Sequence, residues 1–236
     1  MKLQKETKEN QAIHGKWYRD ACGTAFAMEL VGERWSLLIV RELMFGPLRF
    51  SDIRASLPGI SAKVLTERLA SLEEASVLEK RQLPPPGKAQ VYELTRWGYA
   101  AEPLIQEAGR WAAQSSAHDP RLPLSAVSLM LSLRTMVDKA RVGGVAGAVG
   151  FAIGDDRFVA EPREGELPIR RDQAGGDGAD GVDALFRAPD AAVVAAGLYA
   201  GVPWEDLERD AGLAIEGDRA LALEFASLFA LPPKLA

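Results

Sequence analysis

Between residues 21 and 75 apolar side chains recur every three to four positions, and beyond residue 78 they alternate, so the chain predicts a run of helices followed by a hairpin. The polar stretch 1–16 reads as a frayed arm. Ala21 to Val31 is the first expected helix, with Gly32 as its C-cap. Arg34 to Phe45 is the second, with Trp35, Leu38, Ile39 and Leu43 as its inward stripe and Gly46-Pro47 as its stop. Arg49 to Ser56 is the third. Pro58-Gly59 then forces a tight turn, because proline fixes φ and glycine tolerates φ > 0. Ser61 is placed to cap a fourth helix to Ala75 by accepting from its unpaired N–H groups. Leu65, Leu69 and Leu72 recur at i, i+4, i+7, so Lys63, Thr66, Glu67 and Ala70 face outward.

Leu78 to Leu83 and Gln90 to Thr95 read as two strands joined by Pro84-Pro85-Pro86-Gly87-Lys88-Ala89, a stiff connection that cannot join a ladder. Thr95 caps an expected helix to Gln114 whose apolar side carries Trp97, Leu104, Ile105, Ala108 and Trp111. That side suits either dimerisation or burial against its own domain. The prolines of His118 to Pro123 mark a linker, giving expected domains at 1–118 and 124–236. In the second half, a helix from Ser125 to Ala140 precedes the glycine-rich 143–150. Strands are expected over Phe151 to Val159, Leu167 to Asp172 and Val182 to Phe186, with turns at Gly154-Asp155-Asp156 and 175–181. Helices at Ala191–Tyr199 and Trp204–Ala211, a strand at Leu213–Glu216 and a helix at Asp218–Leu231 follow. The short links predict an antiparallel sheet, and the fold class is α+β throughout.

Charge sharpens this division. Residues 1–118 hold 16 Lys and Arg against 14 Asp and Glu, while residues 119–236 hold 12 against 19, so a nucleic-acid contact belongs to the first half. The sequence pI near 5.3 argues weakly against DNA, but the local patch decides. At 47% apolar and 26% charged, the 236 residues are those of an ordinary soluble protein. With no apolar leader or membrane-length run, the expected setting is the cytoplasm. One cysteine, Cys22, excludes an intramolecular disulfide, and His14 and His118 stand apart from other ligand types, so no metal or cofactor is expected.

A short helix, a tight turn and a longer helix with small hydrogen-bonding groups near its start form a surface that suits the major groove, about 12 Å wide. Ser61, Lys63 and Thr66 are placed to approach base edges. Arg49 and the hairpin residues Lys80, Arg81 and Lys88 are placed to reach phosphates, the alternative for the hairpin being a solvated, lysine-protected edge. Arg68 lies on the flank, where a backbone contact and an internal ion pair to Glu73 or Glu42 are both open.

Cys22, the run Gly32-Glu33-Arg34-Trp35-Ser36 with Leu37 to Leu43, Gly46-Pro47-Leu48-Arg49-Phe50, Leu57-Pro58-Gly59-Ile60-Ser61, Val64 to Leu69, Leu72-Glu73-Glu74 and Tyr92-Glu93-Leu94-Thr95 occur in the order and spacing of a known family. Over residues 20–115, about half the chain, the sequence resembles the HxlR-type winged helix-turn-helix transcriptional regulators. The resemblance implies a homodimer on double-stranded DNA, with the helix from Ser61 in the major groove and the hairpin as a wing on the flanking backbone or minor groove. Family members tend to carry Cys-Pro where this chain has Cys22-Gly23. Some regulators of this kind sense oxidants or electrophiles through a cysteine at this position, where a helix dipole stabilises the thiolate. A buried, inert thiol is the other reading of Cys22.

The segments Asp183–Asp190, Gly212–Arg219 and Phe225–Phe229 resemble the sterol carrier protein type-2 fold over residues 124–232. That resemblance implies a small sterol-carrier-like domain with an apolar cavity, or with a filled core serving only assembly. The expected function is therefore a dimeric transcriptional regulator whose second domain senses an apolar small molecule or supports assembly. The alternative is an apolar-ligand carrier whose winged domain mediates only protein contact. An enzyme is not expected: Asp155, Asp156 and Glu161 have no nucleophile or base beside them, and Gly143–Gly150 lacks the spacing and preceding strand of a phosphate loop.

Overall fold

The computed structural model describes residues 17–83, 89–172 and 181–235, and the chain divides into two compact units between Pro103 and Leu104. The first unit opens with α1 (Gly23–Val31) and α2 (Ser36–Glu42), the latter extended by a 3₁₀ turn at Leu43–Phe45. Gly32 ends α1 with ordinary helical φ. Its need for glycine is space, since a Cβ there would lie 2.3 Å from the Met28 carbonyl oxygen. Trp35 then adopts φ 81°, which restarts the helix at Ser36. The inward stripe of α2 is consequently Ser36, Ile39, Val40 and Leu43, and Leu38, expected inside, is exposed.

α3 (Phe50–Ser56) and α4 (Ala62–Glu74) form the helix-turn-helix, with Gly59 at φ 92° in the turn between them. Ser61 caps α4 by accepting from the Val64 N–H at 3.2 Å. Leu65, Leu69 and Leu72 are buried with Ile39, Val40, Leu43 and Ile53, each side chain contributing about 1.5–3 kcal/mol by burial. The strands β1 (Leu78–Gln82) and β2 (Gln90–Leu94) pair antiparallel, Lys80 opposite Tyr92 and Arg81 opposite Val91. Leu48 and Tyr92 exchange backbone hydrogen bonds of 3.0 and 2.8 Å, which fixes the segment leading into α3 to the hairpin.

The expected helix from Thr95 to Gln114 is broken into α5 (Arg96–Tyr99) and α6 (Glu102–Ala113), because Pro103 has no N–H with which to continue a helical ladder. Thr95 caps α5, accepting from the Gly98 N–H at 3.1 Å and donating to the Ser76 carbonyl at 2.8 Å. The division at Pro103 lies ahead of the 118–123 segment read as a linker. Residues beyond it are tied within the second unit: Arg110 donates to the Thr135 carbonyl at 2.8 Å, and Lys234 Nζ donates to the carbonyls of Ala113 and Ser115 at 2.9 and 3.0 Å.

The second unit contains α7 (Ala126–Met136), then β3 (Val149–Ile153), β4 (Asp156–Ala160), β5 (Ile169–Arg171) and β6 (Ala184–Ala188). These are followed by α8 (Ala191–Tyr199), α9 (Trp204–Asp210), β7 (Ala214–Gly217) and α10 (Arg219–Ala226). The sheet order is β5-β4-β3-β6-β7. Three of the four pairs are antiparallel, but β6 lies parallel to β3, which corrects the purely antiparallel expectation: β6 is added on the far side of β3 after the β3-β4-β5 meander. One face carries an aromatic core. Phe151 stacks on Phe186 at 5.4 Å, Phe225 of α10 meets Phe151 at 6.0 Å and Phe229 at 5.0 Å, and Trp204 of α9 meets Phe186 at 5.4 Å. The α+β class holds in both units. No helix among the described residues is long and apolar enough to cross a membrane.

Candidate nucleic-acid interface

The outer face of α4 is built by its own period. With Leu65, Leu69 and Leu72 turned inward, Ser61, Ala62, Lys63, Thr66, Glu67 and Ala70 are all exposed. Lys63 projects furthest, its side chain 86% exposed. The Ser61 hydroxyl oxygen is used by the cap, which leaves its hydrogen to donate. Thr66 donates to the Ala62 carbonyl at 2.9 Å, which leaves its oxygen to accept. The surface offers small hydroxyls, methyls and one long amine. Such groups enter a groove without steric conflict and can pair with base edges.

Arg49 is exposed at the N-cap of α3, with no ion pair among the described residues. Arg68 has a different role. Its Nη1 lies 2.8 Å from Glu33 Oε2 and its side chain is only 17% exposed, so it joins α4 to the segment after α1. The partner is neither Glu73 nor Glu42. Lys80 takes Glu73 at 2.6 Å, and the buried Glu42 accepts from Arg41 Nε at 2.8 Å. Arg81 is paired with Glu93 across the hairpin. The two described wing cations are thus each held by a carboxylate, and Lys88 lies outside the described residues. These exposed pairs are worth about 0–1 kcal/mol each, so a phosphate can take either cation over.

Two cations were not singled out from the sequence. Arg34 stacks over the Trp35 ring at 5.2 Å, and the edge of that ring lies 3.9 Å from where a Cβ on Gly59 would sit, which brings Arg34 toward the turn before α4. Arg54, in the last turn of α3, is exposed and unpaired among the described residues. Arg34 is followed by the left-handed φ of Trp35, for which the sequence carries no signal.

Cys22 is exposed at the N-cap of α1, so the buried alternative is set aside. Its thiol makes no capping hydrogen bond of ordinary geometry. The backbone N–H of Thr24, then that of Ala25, then the Thr24 hydroxyl nonetheless face it and hold its pKa below the usual thiol value. Among the described residues no group of three or more His, Cys, Asp and Glu converges on a metal position.

Residues 30–120 match the family model of the HxlR-like helix-turn-helix. The HTH-type transcriptional regulator YodB of Bacillus subtilis strain 168 is 42% identical over 88 residues, which cover 37% of this chain and 79% of YodB. The uncharacterized HTH-type transcriptional regulator YvaP of the same organism is 39% identical over 88 residues, covering 37% of this chain and 82% of YvaP. Among solved structures, the reduced form of YodB from B. subtilis shares 38% identity at a TM-score of 0.38, covering 42% of this chain and 100% of that one. On the sequence match across most of YodB and the family model at the helix-turn-helix, the chain belongs to the HxlR-like helix-turn-helix family of transcriptional regulators.

Proposed function

We propose that this regulator binds operator DNA as a homodimer, laying the first two turns of α4 in the major groove while Arg34, Arg49 and Arg54 meet the flanking phosphates. The observation that carries the reading is the outer face of α4. It presents hydroxyls, methyls and the freely projecting Lys63, directly opposite a fully buried leucine stripe. Support for the dimer comes from apolar surface left uncovered in one chain. The apolar α1 buries none of its residues, and Trp97, Leu104 and Trp111 are 50%, 45% and 77% exposed. Lys80 and Arg81 act as a reserve, exchanging Glu73 and Glu93 for phosphate when the wing meets the backbone.

The second unit is assigned the role of an effector module for an apolar small molecule or of an assembly module; the rings of Phe151, Phe186 and Phe225, which fill one sheet face, support the second role. Modification of Cys22 is the second input. The thiol's position at the N-terminus of α1 joins it, through that helix and the Glu33–Arg68 pair, to α4. The test is fluorescence anisotropy of the full chain with pooled genomic fragments of its host. Binding should fall by roughly 10³–10⁵ between 50 and 200 mM salt if a dimer makes six to ten phosphate contacts. Binding absent at low salt would instead favour an apolar-ligand carrier whose winged unit contacts protein. Native mass spectrometry of the chain from its own host would then show a retained apolar mass.

A further inference from the structure

We propose that Lys63 and Glu67 read a guanine and a cytosine together, and that Glu67 sets the choice of cytosine over adenine. This rests on α4 being the DNA-reading helix. The two residues stand one turn apart on its exposed face, with side chains 86% and 48% exposed and Lys63 Nζ 4.0 Å from Glu67 Oε1. At that separation neither group is consumed by the other. Successive bases on a strand are about 3.4 Å apart, so the amine and the carboxylate reach the same base pair or adjacent ones.

The chemistry of the two head groups decides which bases. An ammonium only donates, and guanine presents two adjacent acceptors, N7 and O6. A carboxylate only accepts. Cytosine's own groove edge offers only the N4 donor, its partner guanine's acceptors being taken by Lys63, whereas adenine sets its N7 lone pair beside the N6 donor and thymine and guanine offer acceptors alone, so a carboxylate matches cytosine best, adenine less well and the other two not at all.

The surroundings hold Glu67 for this task. Arg68 Nη2 lies 3.9 Å from Glu67 Oε2, and Arg68 is itself fixed by Glu33, so the second carboxylate oxygen is drawn to the flank while Oε1 stays beside Lys63. Ala62, Thr66 and Ala70 are small and leave the approach open. The same negative charge lies between two phosphate strands and weakens binding to every sequence without the cytosine, which widens the contrast between operator and bulk DNA.

The experiment is selection from a randomised double-stranded oligonucleotide library with the full wild-type chain, Glu67→Gln and Glu67→Ala. The wild type should require cytosine at one half-site position, paired with or next to a guanine, and prefer it over adenine by about 5- to 100-fold. Glutamine both donates and accepts, so Glu67→Gln should move that position to adenine. Glu67→Ala should lose the preference and bind random DNA more tightly. Both substitutions are at an exposed site, and matching thermal melts would show that the fold is intact. A wild-type consensus lacking the cytosine, or an unchanged consensus in Glu67→Gln, overturns the proposal. Absence of any salt-dependent DNA binding by the wild type overturns the reading of α4 itself.

Discussion

Replacing Lys63 and Arg68 by alanine, one at a time, separates a residue that meets DNA from one that holds the reading helix in place. Lys63 has an 86% exposed side chain and only a 4.0 Å partner, so its loss should change stability by no more than about 0.5 kcal/mol. Its loss should however relax the base preference at its half-site position and weaken binding to the selected duplex by about 1–3 kcal/mol per contact. Arg68 is the reverse case. Its pair with Glu33 is 2.8 Å long, but Glu33 is 49% exposed, so screening leaves the pair at most about 1 kcal/mol. The buried stem of Arg68 adds packing that alanine cannot supply. A total of about 1–2 kcal/mol lowers Tm by about 4–8 °C per kcal/mol for a domain of 60–100 residues. The salt slope should stay at the wild-type value. Anisotropy with a selected duplex across a salt series, with a thermal melt of each variant, measures both quantities. If Arg68→Ala lowers the slope and leaves Tm unmoved, Arg68 leaves Glu33 for phosphate on binding and the assignment is wrong.

Other substitutions test other parts of the fold. Gly98→Ala places a Cβ 2.0 Å from the Val77 backbone carbonyl oxygen, so the joint between hairpin and α5 must shift, and urea denaturation should show a loss of about 1–3 kcal/mol or more. Phe225→Ala removes a fully buried ring in contact with Phe151 and Phe229 and should cost about 3–5 kcal/mol; hydrogen exchange should rise in β3 and β6 and stay unchanged in α4. The Cys22 pKa is lowered, so the thiolate persists to lower pH than in a free thiol. Its alkylation rate by iodoacetamide should rise with pH to a midpoint below that of the same thiol in the urea-unfolded chain, and a midpoint equal to or above the unfolded one would remove the N–H groups at the start of α1 as its cause.

What was legible in the sequence is whatever neighbouring residues decide. The caps at Ser61 and Thr95 and the leucine stripe of α4 follow from local hydrogen bonding and period, and all stand in the structure. Of the expected α2 stripe, Ile39 and Leu43 are buried and Trp35 is half-buried, while Leu38 is exposed and Ser36 and Val40 face inward, after a left-handed φ at Trp35 that its side chain does not announce. Helical period alone puts Lys63 and Thr66 on the outer face of α4, and both are exposed there. The ion partners were not readable: Glu33 and Arg68 meet only after α1, α2 and α4 have packed, and the parallel β3–β6 pair depends on which edge of a finished meander the chain returns to.

The bond between Lys234 Nζ and the Ala113 carbonyl spans 121 positions of the chain. With Leu235 donating to the Gln114 carbonyl at 2.8 Å, it completes the C-terminal end of α6. On the ribosome that helix end waits about 6–24 s for its lysine, at roughly 5–20 residues per second. A nascent chain therefore presents its finished helix-turn-helix well before α6 is secured. Ribosome arrest before residue 234, or a bulky fusion directly after it, should leave the last turn of α6 open to proteases that spare the full chain.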